Sequence, residues 1–216
     1  MKLEINYKSI VVIGGFNPTI LTPPFLSKFC SFSSSHEPEG QTTPVISEIR
    51  FGNIHFLMEL NKFQIDMQKV SDFGEKYPLD IMTKYLEVLQ YTPIKLLGIN
   101  FNYKLSDFNI QAFVERVKDP FKIEENFGIT PISVFLGVKK PNGAGLHISE
   151  ITMDHQLDGE IKNSIKFIFE PPWVLVNNNF EINGLETDRG RMSIIPARYD
   201  ALVESNESLV RKLGDL

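Results

Sequence analysis

The chain has 216 residues, 42% of them apolar and 17 of them Phe, with a formal net charge of −5. That composition suits a globular protein of one large or two small domains, and its acidic balance argues against duplex nucleic acid as a partner. The single cysteine, Cys30, excludes an internal disulfide framework and makes a cysteine-based zinc site untenable.

The first ten residues carry Lys2, Glu4 and Lys8, which leaves no apolar core for a secretory signal. Leu3, Ile5, Tyr7, Val11 and Ile13 then alternate with other residues, predicting a first strand. A short helix is expected near Pro23-Pro24, and Cys30, among apolar neighbours, reads as a small buried hydrophobe. Residues 31–43 show no periodicity and predict a mobile loop. Gly52-Asn53 between two apolar runs predicts a tight hairpin. Pairing across it sets Phe51 opposite Ile54, Ile49 opposite Phe56 and Val45 opposite Leu60 on one face. The other face carries Arg50 opposite His55, with Glu48 and Glu59 nearby. A phase shift after Leu60 predicts a turn or bulge at Asn61-Lys62.

A helix is predicted over 78–90 from Leu79, Met82, Leu86 and Leu89, then a strand carrying Leu97, Ile99, Phe101, Tyr103 and Leu105. A further helix with Ile110, Phe113, Val114 and Val117 ends at Pro120. Strands follow at 131–138 and 146–153, and another carries Ile165, Phe167 and Phe169. One or two more short strands are expected around Asn177-Asn178-Asn179, and a helix closes the chain over 196–213. This order predicts an α+β fold of antiparallel β-hairpins with three or four helices on one face. The domain reading is a β-rich subdomain 1–71 and an α+β subdomain 72–216, or a single domain 1–216. No apolar run reaches the roughly 18 residues that cross a bilayer, so we expect a cytoplasmic chain without membrane contact.

Four constellations invite chemistry. Gly14-Gly15-Phe16-Asn17-Pro18 resembles the opening signature of nucleotidyltransferases of the nicotinamide-mononucleotide and cytidylyl type. In that family the signature runs on into His-x-Gly-His, whose cations meet the charge growing on the triphosphate. Thr19 to Pro24 hold no cation, so the turn reads as structural, with a nucleotide-binding role as an alternative. Asp154, Asp158, Glu160 and Lys162 resemble the paired acids and Glu-x-Lys of restriction-type nucleases, implying a Mg²⁺-dependent, phosphate-directed enzyme as the other alternative. His147 and His155 are about 25 Å apart along an extended strand, too far to share an ion. Arg189, Arg191 and Arg198 put half of the six arginines within ten residues, suiting capture of carboxylate or phosphate. Trp173 is the one tryptophan and a candidate interface anchor. The reading is a non-enzymatic binding protein, a subunit or accessory of a protein assembly or a homo-oligomer. No catalytic residue, metal ligand or cofactor is assigned, and Arg189, Arg191, Arg198 and Trp173 are the binding candidates.

Overall fold

A computed structural model describes residues 2–68, 77–106, 109, 131–139, 147–157, 161–169, 172–181 and 199–212. In chain order the strands are β1 (Lys2–Gly14), β2 (Glu39–Thr42), β3 (Ile46–Phe51), β4 (Ile54–Glu59), β5 (Lys62–Gln68), β6 (Ile94–Ser106), β7 (Pro131–Lys139), β8 (His147–Leu157), β9 (Ile161–Phe169) and β10 (Pro172–Glu181). The helices are α1 (Pro23–Phe29), α2 (Tyr77–Val88) and α3 (199–212), with a 3-10 turn at Pro18–Ile20. The chain is mixed α+β, and every pairing whose register is described is antiparallel.

Two compact units divide the chain. The first, here the hairpin unit, comprises Asn6–Ile99 and Phe180–Arg198. The second, the long-strand unit, comprises Met1–Ile5, Asn100–Asn179 and Tyr199–Leu216. Strands β1 and β6 contribute residues to both. The expected boundary between residues 71 and 72 lies outside the described residues, as does the helix expected over 110–117.

Within the hairpin unit the strand order is β2-β3-β4-β5-β1-β6. Burial alternates residue by residue along β3, β4 and β5, so one face of each strand is apolar and packed. Gly52, at φ +57, opens the two-residue turn between β3 and β4, while Asn53 stays at negative φ. That combination is the II′ hairpin turn, whose first position strongly favours glycine. The buried face holds Ile49, Phe51, Ile54, Phe56, Met58, Phe63, Ile65 and Met67. Helix α1 is capped by the Thr22 hydroxyl, which accepts from the Phe25 N–H at 3.3 Å, with prolines at its first positions. It brings Phe25 against Tyr85 of α2 at 5.9 Å, and Tyr85 packs on Phe63 at 4.7 Å. Phe32 joins Phe51 and Phe56 at 4.8 and 5.0 Å. Each such ring withdrawn from water contributes about 1.5–3 kcal/mol.

Three expectations need correcting here. In β1 the fully buried side chains are Lys8, Ile10 and Val12, not the Tyr7, Val11, Ile13 set. The run from Ile10 to Ile13 is apolar on both faces, and a lysine on the core side hides the phase. Residues 31–43 are not all loop: β2 lies within them and pairs with β3 from Glu39↔Arg50 to Thr42↔Ser47. Its four residues are all exposed, so no apolar pattern announced it. Val45 and Leu60, expected to pair on the packed face, lie beyond the last register pair Ile46↔Glu59 and are exposed, so that face ends at Ser47↔Met58.

In the long-strand unit the order is β6-β10-β9-β8-β7. The hairpin β7–β8 carries register shifts at Pro131/Ser133 and Gly137/Val138. The strand β10 runs unbroken through Asn177-Asn178-Asn179, so the one or two short strands expected there form a single longer strand. Asn178 is fully buried, so that asparagine belongs to a strand interior and not to a turn. Helix α3 buries Tyr199, Leu202, Val203, Asn206 and Val210, a stripe at helical spacing. Tyr199 packs 6.1 Å from Phe101, which stacks on Tyr103.

Candidate functional site

The face of the hairpin unit opposite the apolar core carries one transverse row of register partners. Glu39 on β2 pairs with Arg50 on β3, Arg50 with His55 on β4, His55 with Asp66 on β5, and Asp66 with Ser9 on β1. Period-two alternation makes such a row unavoidable once the register is set: every residue in it points away from the core.

Asp66 is its hub. Tyr7 donates its hydroxyl to Asp66 Oδ1 at 2.6 Å, and Gln64 Nε2 donates to both carboxylate oxygens at 2.8 and 2.9 Å. His55 Nδ1 lies 3.4 Å from Asp66 Oδ2, and His55 Nε2 lies 2.9 Å from Glu48 Oε1. The Glu48 contact is close in distance but lacks the alignment of a hydrogen bond. Burial, then the hydrogen bond to Asp66 and that carboxylate's charge, hold the Tyr7 phenol well above the ordinary tyrosine range.

Chemically, this arrangement is committed to itself. Both imidazole nitrogens face carboxylates, and Asp66 lies between His55 and Ser9 in the row. A histidine acting as base on a serine needs the opposite order, with the imidazole in the middle. The geometry therefore presents a fixed charged surface, cross-braced over four strands.

The Gly14-Gly15 turn has its amides occupied. Gly14 N–H donates to Asn61 O, Gly15 N–H to Pro93 O and Phe16 N–H to Leu60 O, at 3.0, 3.0 and 2.8 Å. A Cβ on Gly14 would overlap the Pro93 carbonyl oxygen, so close backbone approach accounts for the glycine. Phosphate-cradling loops need free amides, and these three are taken. Cys30 is 1% exposed, and burial pushes its thiol up to about 11, with the Lys84 charge opposing. That is the behaviour of an inert core cysteine.

Arg189, Arg191 and Arg198 lie outside the described residues, as do Asp158 and Glu160. Trp173 lies on β10 and Lys162 on β9, with their side chains not described. Leu157 and Ile161 are register partners at one end of the β8–β9 pairing. Asp154 pairs with Ser164 two positions from the Gln156↔Lys162 pair. Among the described residues no group of three or more His, Cys, Asp or Glu is placed to hold a metal ion, and no helix is long and apolar enough to cross a membrane. The Asp66 hub was missed in the sequence. The signal that could have found it is the next strand's register, which extends the Arg50–His55 pair to Asp66.

No family model matches the chain, and no curated protein matches it either.

Proposed function

We propose that this chain is a non-enzymatic, cytoplasmic binding protein that acts as a subunit or accessory of a protein assembly. The finer architecture that goes with this reading is antiparallel hairpins with three or four helices on one face. The observation that supports it is the row Glu39–Arg50–His55–Asp66: charged and polar groups in fixed register on a sheet face, tied down by Tyr7 and Gln64. Preorganised polar side chains on a rigid sheet recognise a partner with little entropy lost on binding. Arg189, Arg191, Arg198 and Trp173 are the further contacts of this reading, since arginine and tryptophan dominate interface energetics.

The test starts from native mass in cell extract. The chain is expected to migrate in a complex larger than itself. Replacing Arg189 and Arg191 with Ala should weaken that association while the melting temperature stays near wild type. Lys replacements should recover only part, because an ammonium lacks the planar fork. Early unfolding of the double Ala variant with association intact would assign those arginines to the fold instead.

A further inference from the structure

We draw no further inference here: the strongest candidate, the outer edge of the hairpin unit's sheet along β2, whose four residues are all exposed in a 29–49 stretch that holds Glu37, Glu39 and Glu48 but no Lys or Arg, carries nothing, because it is an acidic cluster on an edge strand and nothing in the structure shows what covers it.

Discussion

The hairpin unit and the long-strand unit use β-structure differently. In the hairpin unit β3, β4 and β5 are six or seven residues long, with side chains alternating between core and open face. Their register is uninterrupted, and the polar face is braced through Asp66. In the long-strand unit β7, β8 and β9 run nine to eleven residues, and β7–β8 carries two register shifts. Short strands with strict alternation are pinned by their side chains, since a one-residue slip would bury the charged row and expose the core. A bulge absorbs one residue and adds twist, so longer strands tolerate irregular pairing. The lesson is that a row of functional polar groups needs the first kind of sheet, in which register alone brings distant residues together.

The largest effect should come from removing what pins the hairpin unit. Phe63 is fully buried against Phe16 and Tyr85. Phe63→Ala should cost about 3–5 kcal/mol in urea unfolding, the range for deleting a buried ring. A cost under about 1 kcal/mol would show that this core is not the source of the unit's order.

A smaller effect should follow from releasing the open face. Asp66→Asn keeps the shape but removes the charge facing His55 and weakens the bond from Tyr7, costing about 1–3 kcal/mol. The Tyr7 phenol, held high first by burial and then by Asp66, should titrate at lower pH in the variant, read as phenolate absorbance. The sign follows from the direction of the shift. Tyr7 favours its neutral form when folded, so its contribution is complete below the unfolded value of 10.0 and is lost as pH rises beyond it. Wild-type stability should therefore fall in alkali, and Asp66→Asn should flatten that fall. An unchanged tyrosine titration would mean that Asp66 does not govern this face.

The smallest effect should fall in the long-strand unit. Asp158-Gly159 reads in the sequence as the start of a turn, so Glu160→Gln should change stability by less than about 0.5 kcal/mol. Neither the wild type nor the variant should cleave DNA or RNA with Mg²⁺. Cleavage by the wild type that disappears in the variant would replace the turn reading with a catalytic one.

Much of this contrast was legible in the sequence, for local reasons. Gly52-Asn53 announced a two-residue turn, and from it the pairs Phe51↔Ile54, Ile49↔Phe56 and Arg50↔His55 follow directly. The shift at Asn61-Lys62 marked the next turn for the same reason. Helix α2 showed itself through Leu79, Met82 and Leu86 at helical spacing. What stayed hidden depended on distant partners. Nothing local says that Lys8 faces inward, that the exposed β2 pairs at all, or that Asn178 sits inside a strand. The charged row was half visible: Arg50 and His55 share a hairpin, whereas Asp66 and Tyr7 join them only once β5 and β1 are in register.

The interleaving of the two units governs how the chain can be made. Residues Met1–Ile5 belong to the long-strand unit, yet the 6–99 stretch of the hairpin unit is synthesised before the next piece of that unit, Asn100–Asn179. The hairpin unit in turn waits for Phe180–Arg198, and Tyr199–Leu216 comes after that. Domains usually fold one after another as they leave the ribosome. Here no stopping point in translation yields one finished unit without strands of the other, and β6 waits with one edge unpaired until its late neighbour β10 is made. No single gene truncation isolates either unit intact.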